Sequence, residues 1–504
     1  MIAGSHPILS CEEARDFERQ LFAGDEAREW GAMQRAGQAI ASAVRRDSQE
    51  IGGLRTDGRI LVLVGKGHNG GDALIAAGAL LAELPGAVAE VVFVFGTRLL
   101  RPLSSRAWQM LAQRFPGRVS VIATQELQPS YDLSLDGVFG FQFRPPLDES
   151  VRSLSEAVNA LPIRFRAAVD LPSGGAFQAD FTYATGAVKT PALEGTMAGR
   201  VRYLELDFFT SESRGNRRVL VPAILAPLAG FRSPQSDKRS QGHLFIVAGS
   251  MSFPGAVVMT VLAALRSGVG LVTAFVPEAL VAAYAARVPE AIWVGWPTTP
   301  RGGLALEGLH LYRERMERAD ACVIGPGIGR EPETFALITE LVKHPTVPVL
   351  LDADALQSGI IRGAKSPLIL TPHAGEFARI AGAATIEDFA ASTGAVVILK
   401  GPVTRIAGGG SAVHEKSGSN PASGVIYHSL FGGPVLARGG SGDLLAGIVG
   451  SLLAQSPEDR LLAAARGTVW HGLAAEVLAR KFGQVAVNTT QLVDCLPDAL
   501  RELK

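Results

Sequence analysis

The stretch RILVLVGKGHNGGDALIAAG, residues 59–78, joins an uninterrupted apolar run to an alanine-rich segment through a glycine-rich loop. The apolar run has no polar alternation, which predicts a strand that is buried on both faces, and the alanine-rich segment predicts a helix. A strand, a glycine loop and a helix in this order are typical of parallel α/β sheets, where ligands bind at the carboxyl ends of strands. The stretch therefore predicts the fold class and the edge of the sheet that carries a site.

The same alternation continues on both sides of this stretch. Helical patterns in the first half cover residues 11–44, 74–84 and 103–114. The runs that predict strands there are RILVLVG, EVVFVFG, RVSVIA, LSLDGVFG, FRAAVDLPSG and RVRYLELDF. Because strands and helices alternate, we predict a mostly parallel sheet with helices on both faces.

A segment rich in proline and small or polar residues, 221–241, interrupts the pattern and predicts a domain boundary. The pattern then begins again and closes with two long predicted helices, 443–454 and 460–482. The predicted strands of this half are HLFIVAGS, LVTAFVP, ACVIGPG, VPVLLDAD, PLILTPH and AVVILKG. A chain of 504 residues is too long for one ordinary core, so we predict two α/β domains, 1–225 and 226–504.

The composition limits the class of partner and the compartment. The formal net charge is zero, which argues against electrostatic binding of nucleic acid or of an anionic membrane. The three cysteines, Cys11, Cys322 and Cys495, are widely spaced and odd in number, so they indicate neither a disulfide framework nor a zinc cluster. No signal-peptide pattern and no membrane-spanning run is present, and we expect a cytoplasmic protein.

The loop at 65–72 matches neither common phosphate-loop pattern in full. A Walker loop has Ser or Thr directly after its lysine, whereas Gly67 follows Lys66 here. Gly65, Gly67 and Gly70 satisfy GxGxxG literally, yet no acidic residue ends the next predicted strand to hold a ribose. The start of a helix still favours a bound phosphate, because its first N–H groups lack partners.

Oxygen donors follow three predicted strands of the first half. Asn69, Asp136 and Ser173 are hard ligands that suit an alkali or alkaline-earth cation. Asp170 directly follows a buried run, so partial desolvation can tune its carboxyl for proton transfer. The alternative for each residue is a helix cap or a turn. Three such loops at one sheet edge favour a shared site.

The motifs GKGHNGGDAL, DGVFG and VDLPSG resemble those of the NAD(P)H-hydrate epimerase domain. The resemblance implies a Rossmann-like α/β/α sandwich in which Asn69, Asp136 and Ser173 hold K⁺ and Asp170 is the acid/base at the hydrated C6 carbon. It also implies substrate contacts from Asp170 and from two loops. The loop residues are His68, Asn69, Gly70, Gly71, Asp72, Gly140, Phe141, Gln142, Phe143, Arg144, Pro145 and Pro146. The family loop usually has Asn and Gly where His68 and Ala73 stand here.

The sharpest motif in the second half is ARGGSGDLLAGIVGSLLA, which begins at Ala437. Gly439, Gly440 and Gly442 permit close approach of a ligand to the start of a helix, which favours a phosphoryl oxygen. Asp443 beside that oxygen can accept a proton from an attacking hydroxyl. A plain aspartate cap after a glycine turn is the alternative, and capping alone does not need so many glycines.

This loop resembles the anion hole of the ribokinase-like superfamily. GPGIG, LLDADAL, LTPHAGEFARI and LKGPVTRIA follow in the order of the ADP-dependent NAD(P)H-hydrate dehydratases. The resemblance implies that Asp443 is the catalytic base and also contacts the hydrate. It further implies that Ala256, Gly327 and His373 contact the hydrate, and that Lys400, Gly401, Pro402, Val403, Thr404 and Gly442 bind ADP or AMP. Asp352 and Asp354 are further candidates to place Mg²⁺. Arg438 stands where the family usually has Thr.

The two resemblances cover nearly the whole chain and imply a bifunctional repair enzyme for hydrated NADH and NADPH. The first domain would interconvert the R and S hydrates, and the second would use ADP with Mg²⁺ to dehydrate the S form, releasing AMP and phosphate. A homo-oligomer, a tetramer or larger, is also implied. Two alternatives stay open: an ATP-using ribokinase-like small-molecule kinase with an accessory domain, and a nucleotide-binding regulatory protein. The sequence does not decide between ADP and ATP.

Overall fold

The computed structural model describes residues 1–209, 215–343, 347–409 and 424–503. Its residues cluster into two compact units. The first unit comprises His6–Gly215 and Ala479–Gln484. The second unit comprises Met1–Ser5, Asn216–Leu478 and Val485–Lys504. The boundary between residues 225 and 226 stays a prediction.

The elements of the N-terminal part alternate between strand and helix. The strands are β1 (Ser5–Leu9), β2 (Arg59–Val64), β3 (Val88–Phe93), β4 (Val119–Val121), β5 (Leu133–Gly137), β6 (Arg166–Val169), β7 (Phe181–Thr185), β8 (Val188–Lys189) and β9 (Arg200–Leu204). The helices are α1 (Cys11–Phe22), α2 (Glu26–Ser48), α3 (His68–Glu83), α4 (Pro102–Arg114), α5 (Glu149–Ala160) and α6 (Thr190–Glu194).

Seven of these strands form one parallel sheet in the order β4-β3-β2-β5-β6-β7-β9. β1 pairs in parallel with β8. β2 is almost wholly buried and carries core side chains on both faces, because helices cover both sides of the sheet. The carboxyl ends of β2, β5 and β6 are consecutive at one edge of the sheet, so the loops after them must meet.

The second unit has the same alternation over a longer stretch of chain. Its strands are β10 (Arg217–Leu220), β11 (His243–Val247), β12 (Leu271–Pro277), β13 (Ile292–Trp296), β14 (Ala321–Ile324), β15 (Val349–Leu351), β16 (Leu368–Leu370), β17 (Val396–Leu399), β18 (Thr404–Gly408) and β19 (Ile426–Ser429). The helices are α7 (Pro254–Arg266), α8 (Val281–Arg287), α9 (Leu309–Arg313), α10 (Pro332–Val342), α11 (Ser358–Gly363), α12 (Ala374–Ala381), α13 (Ile386–Thr393), α14 (Ser441–Gln455), α15 (Arg460–Phe482) and α16 (Gln491–Arg501).

The ten strands of this unit follow the order β13-β12-β11-β14-β15-β16-β17-β18-β19-β10. Pairing is parallel from β13 to β17 and antiparallel on both sides of β18. The carboxyl ends of β11, β14, β15, β16 and β17 are therefore neighbours. Every loop that the sequence analysis assigned to the second site, apart from the glycine loop before α14, follows one of these strands.

The predicted fold class, two α/β units with mostly parallel sheets, is confirmed. One prediction about the first helix is wrong. The segment 11–44 forms two helices, because Ala23 adopts a left-handed backbone with φ 51° and ends α1. Several short strands, β7, β8, β10, β18 and β19 among them, escaped prediction. Within the part of the chain that the structure describes, no helix is both long and apolar enough to cross a membrane.

Glycine allows α14 to lie very close to α7. A Cβ on Gly447 would stand 2.3 Å from the carbonyl oxygen of Thr260 and 2.9 Å from the Cβ of Ala263. We expect Gly447→Ala to lower the free energy of unfolding by about 1–3 kcal/mol, because the added methyl overpacks two rigid helices. Urea unfolding measures this change.

The matched control is Gly359→Ala in α11, where a Cβ would meet nothing within 4 Å. This variant should keep the wild-type stability or gain up to about 1 kcal/mol from the higher helix propensity of alanine. Equal effects of the two variants would contradict the close packing of α14 on α7.

Candidate active sites

The first candidate site lies at the carboxyl ends of β2, β5 and β6. Gly65 follows β2, and a Cβ there would stand 1.9 Å from the carbonyl oxygen of Val138 in the loop after β5. Only glycine permits this approach. α3 then begins at His68 with Gly67 as its N-cap, and no side chain caps it. The Gly70 N–H bonds the Gly67 carbonyl, whereas the N–H groups of His68 and Asn69 have no hydrogen-bond partner among the described residues and are left for a ligand.

Two of the three predicted cation ligands, Asp136 and Ser173, bond each other, and the third, Asn69, bonds the backbone at the end of β6. Ser173 donates its hydroxyl to Asp136 Oδ1 over 2.6 Å and its backbone N–H to Asp136 Oδ2 over 2.8 Å. The amide nitrogen of Asn69 donates to the Val169 carbonyl, and the same amide packs where a Cβ of Gly140 would stand. Asp136 is fully buried, and burial raises its pKa to about 6 while the bonds from Ser173 lower it.

Alanine fits at position 73, where the family usually has glycine, because its neighbour Gly137 has no side chain. A Cβ on Gly137, at the end of β5, would stand 2.6 Å from the Ala73 Cβ and 2.6 Å from the Asn69 carbonyl oxygen. The missing side chain at Gly137 therefore leaves the space that the Ala73 methyl group fills.

Asp170 is held from three sides directly after β6. It is 2% exposed and adopts a left-handed backbone with φ 66°, and its N–H bonds the Tyr183 carbonyl. Oδ2 accepts the Phe141 N–H over 3.2 Å, and Oδ1 accepts the Lys189 ammonium over 2.5 Å. A non-glycine residue with this backbone is strained, and such strain clusters at functional sites.

A cavity of about 530 Å³ gathers most of the predicted epimerase residues. The predicted residues that line it are His68, Asn69, Asp72, Gly140, Phe141, Gln142, Phe143, Arg144, Pro146 and Asp170. Gly70, Gly71 and Pro145 do not line it, and neither do Asp136 and Ser173. Gly71 instead packs against Met33, where a Cβ would stand 2.5 Å from Sδ.

Sequence reasoning missed several charged residues that line this cavity, Lys189 and Glu18 among them. Burial raises the pKa of Glu18 to about 7, and burial followed by repulsion from Asp170 raises the pKa of Asp72 well above its usual value. Lys189 lowers both of these pKa values. A lysine in the two-residue strand β8 carries no motif, so its only signal is its place among small and apolar residues.

The second candidate site forms around the glycine loop before α14. Gly440 is the N-cap of α14 with φ 90°, and no side chain caps the helix. A Cβ on Gly442 would lie 3.3 Å from Lys400 Nζ and 3.8 Å from Asp352 Oδ2. The N–H groups of Gly442 and Asp443 have no hydrogen-bond partner among the described residues. The loop thus brings free N–H groups, a lysine and a carboxylate to one place, which suits a phosphoryl group with a metal ion.

Asp443 lies in the first turn of α14. Burial and the nearby Asp352 carboxylate together raise its pKa to about 6, although Lys400 acts to lower it. Asp352 is 2% exposed and directly follows β15. Its Oδ1 accepts bonds from Thr371 over 2.6 Å and from Lys400 over 3.1 Å.

The predicted hydrate contacts fall into two places. Ala256 and Gly327 face each other, since a Cβ on Gly327 would stand 2.8 Å from the Ala256 Cβ. His373 pairs with Lys400 through a backbone bridge and is the N-cap of α12. Its Nδ1 accepts the N–H groups of Gly375 and Glu376, and its Nε2 lies 3.5 Å from Glu376 Oε1.

The predicted nucleotide segment comprises the turn between β17 and β18, formed by Lys400, Gly401, Pro402 and Val403, and the first residue of β18, Thr404. Asp354, a weaker candidate for Mg²⁺, pairs with Arg330 over 2.7 Å. The Arg438 guanidinium donates to the Val485 carbonyl. His471 is buried on α15, and burial together with Lys400 lowers its pKa to about 4, so it is neutral beside the loop at pH 7.

Two family models match separate parts of the chain. Residues 244–498 match the family model of the NAD(P)H-hydrate dehydratase, and residues 31–197 match that of the YjeF-related protein N-terminus. The bifunctional NAD(P)H-hydrate repair enzyme Nnr of Gloeobacter violaceus is 35% identical over 96% of this chain and 96% of its own. The enzyme of the same name from Moorella thermoacetica is 31% identical over 94% of this chain and 92% of its own.

A solved structure titled as the ADP/ATP-dependent NAD(P)H-hydrate dehydratase from Bacillus subtilis, co-crystallized with ATP and Mg²⁺, is 26% identical to this chain. It covers 54% of this chain and 94% of its own, with a TM-score of 0.45.

The fold and the two sites define a two-unit α/β enzyme. The similarity to the two relatives, which extends over nearly the whole chain, then identifies the family. The chain belongs to the family of bifunctional NAD(P)H-hydrate repair enzymes. The family predicted from the motifs is confirmed, while the roles of the individual site residues stay predictions.

The bonds around Asp136 lead to a stability prediction. Ser173→Ala removes the hydroxyl that bonds Asp136 and that accepts the Phe139 N–H over 2.8 Å. Because a buried carboxylate and a largely buried N–H each lose a partner, we expect a loss of about 1–3 kcal/mol in the free energy of unfolding. Urea unfolding in buffer free of K⁺ measures it.

Ser134→Ala is the matched control in the same strand as Asp136. The Ser134 hydroxyl is fully buried and has no hydrogen-bond partner among the described residues. Its removal should be neutral or stabilising, since no bond is lost. If Ser134→Ala costs as much as Ser173→Ala, the bonds around Asp136 do not explain the loss.

Proposed function

We propose that this chain repairs hydrated NADH and NADPH through two activities. The first domain (1–225) epimerises the R and S hydrates, and the second (226–504) dehydrates the S form at the expense of ADP, giving NAD(P)H, AMP and phosphate. The observation that carries the proposal is common to both units. Each places a buried or half-buried carboxylate, Asp170 or Asp443, close to a lysine at the ligand-binding edge of its parallel sheet.

Epimerisation needs one bond at C6 to open and to close again from the other face. Ionised Asp170 can accept the proton of the C6 hydroxyl, so that the C6–N1 bond breaks and its electron pair passes to the nitrogen, which the conjugated carboxamide stabilises. The ring then closes on the other face of C6 and the proton returns to the oxygen. Asp170 faces the cavity that would hold the ring.

Dehydration of the S form begins with phosphoryl transfer. Asp443 accepts the C6 hydroxyl proton while the oxygen attacks the terminal phosphorus of ADP and AMP leaves. The start of α14 and Lys400 would stabilise the charge on the transferred group. The phosphate then leaves C6 with the C–O electron pair, the N1 lone pair assists, and loss of a C5 proton restores the double bond.

The donor sets fit the two metal ions that the resemblance implies. Asn69, Asp136 and Ser173 offer hard oxygens around a buried carboxylate that has no cationic side-chain partner among the described residues. Bound K⁺ would supply the missing positive charge. Asp352 Oδ2 accepts no hydrogen bond from the described residues and lies near Gly442, so it suits Mg²⁺ bound with nucleotide phosphates.

We also propose that the chain works in the cytoplasm as a homo-oligomer, a tetramer or larger. Its partners would be small nucleotides, namely the hydrates and ADP or AMP, rather than nucleic acid or membranes. The support is the family resemblance and the zero net charge.

A spectroscopic assay tests the two activities separately. Purified protein is incubated with each hydrate epimer, ADP, Mg²⁺ and K⁺, and restored NADH is followed at about 340 nm. We expect both epimers to be restored by the wild type. Asp443→Asn should stop restoration of both, whereas Asp170→Asn should leave only the S form repaired.

Asp16→Asn and Asp494→Asn are controls in which an exposed aspartate of each unit is changed. The nucleotide product separates the candidate functions, because AMP with restored NADH supports repair and ADP with a stable phosphoester supports an ATP-using kinase. No restoration with either ADP or ATP would reject the repair function.

The raised pKa of Asp443 leads to a pH prediction. Its carboxylate, the form that accepts a proton, predominates above pH 6, so dehydration should decline as the pH falls below about 6. Asp352→Asn removes a repulsive carboxylate, so the decline should move to lower pH. The measurement is kcat/KM for the S hydrate as a function of pH in the wild type and in Asp352→Asn. Titration of the nucleotide affects both enzymes equally and so cannot cause a difference between them. An unmoved decline would contradict the coupling of Asp352 to Asp443.

A further inference from the structure

Lys189 is the most deeply buried ionisable side chain of the first cavity. Its side chain is 1% exposed, yet it lines the cavity together with Asp170. It ends β8, and the ammonium donates to Asp170 Oδ1 over 2.5 Å and to the Thr185 carbonyl over 3.0 Å. The Phe141 ring lies 5.1 Å from Nζ, so an aromatic face covers the cation on a further side.

The fold fixes both partners of this pair. Register pairing of β8 with β1 sets Lys189 opposite Leu9, and the Thr185 carbonyl comes from the end of β7. Asp170 is fixed by its bonds to Tyr183 and Phe141. Each of the two side chains is therefore held by contacts other than their ion pair. The fold, and not a chance meeting of flexible groups, brings Lys189 and Asp170 together.

Three of the carboxyl groups that line this cavity, those of Glu18, Asp72 and Asp170, interact with the ammonium of Lys189. Glu18 approaches from α1, Asp72 from α3 and Asp170 from the end of β6, and the Cys11 thiol at the start of α1 also senses Asp170 and Lys189. Of these three carboxyls, only that of Asp170 bonds the ammonium directly. Burial raises the pKa of Asp72 and of Glu18, so these two hold protons more readily than ordinary carboxyls.

A base in this cavity has to stay ionised although water is largely excluded and two further carboxyls repel it. A buried carboxylate without a partner would instead take up a proton. Of the three carboxyls, Asp170 is the one that the ammonium of Lys189 bonds, so it gains the most from that charge. The bond also fixes Oδ1 so that Oδ2 stays beside the loop of Phe141.

We propose that Lys189 is a positioning residue of the epimerase reaction, whose ammonium keeps Asp170 ionised and oriented toward the hydrate. The inference rests on the proposed epimerase function. Lys189 takes no part in bond breaking and acts through Asp170. The rival explanation is structural, in which Lys189 only fills space between β8 and the Phe141 loop.

The test compares two variants of the full-length enzyme, Lys189→Met, which keeps the length of the side chain, and Lys189→Gln, which can still donate to the Thr185 carbonyl. Conversion of the R hydrate is measured from pH 6 to pH 9 with the dehydratase activity of the same protein as coupling step. Dehydration of the S hydrate, which needs no epimerase, is the internal control for each preparation, and thermal unfolding shows that each variant is folded.

We expect both variants to lose at least about 10²-fold in epimerisation at pH 7, the scale of a lost acid/base group. The acid side of their pH profile should move to higher pH, because an unpaired Asp170 ionises less readily. Lys189→Arg should retain the wild-type profile. Lys189→Ala should regain activity when methylammonium is added, since the vacated space opens onto the cavity.

Each outcome of these measurements supports or overturns the role proposed for Lys189. A uniform loss at every pH with no rescue by methylammonium would assign Lys189 a structural role and overturn the inference. Full activity of Lys189→Met would overturn it as well, while leaving the epimerase function standing. A wild type that repairs the S hydrate and leaves the R hydrate unconverted would instead refute the epimerase function, and the inference with it.

Discussion

Contact between backbone segments at the carboxyl ends of the strands sets the geometry of both sites. In the first unit a Cβ on Gly65 would overlap the Val138 carbonyl, and in the second a Cβ on Gly325 would stand 2.0 Å from the Asp352 carbonyl oxygen. Loops from neighbouring strands can meet this closely only where a side chain is missing. The functional side chains on these loops then reach the same space. Loops that did not touch each other would hold these side chains further apart.

Both sites use this space to hold charge away from water. Asp170 and Asp136 in the first unit and Asp352 in the second are nearly or fully buried, and each has defined hydrogen-bond donors. A low-dielectric site strengthens such interactions and penalises any carboxylate that lacks a partner. The arrangement explains why lysine accompanies the proposed bases, and why a cation suits the Asp136 cluster, where no lysine is found among the described residues.

Position along the chain predicted much of the first site. Asp136, Ser173 and Asp170 directly follow apolar runs, and parallel pairing of β5 with β6 brings them together. Lys189 could not be predicted in this way, because a strand of two residues is too short to show an alternation of apolar and polar residues. His373 shows a different limit. Its place after Pro372 suits a ligand, but a sequence cannot tell that the start of α12 already occupies Nδ1.

The complementary fit of Ala73 and Gly137 ties together two positions that lie in separate motifs. A methyl group at position 137 would still meet the Asn69 carbonyl oxygen if glycine stood at position 73, because that oxygen belongs to the backbone. Position 137 therefore has to stay glycine in either case, whereas position 73 can carry glycine or alanine as long as position 137 has no side chain. A laboratory graft from a relative should accordingly be tolerated when it changes position 73 and rejected when it places a side chain at position 137.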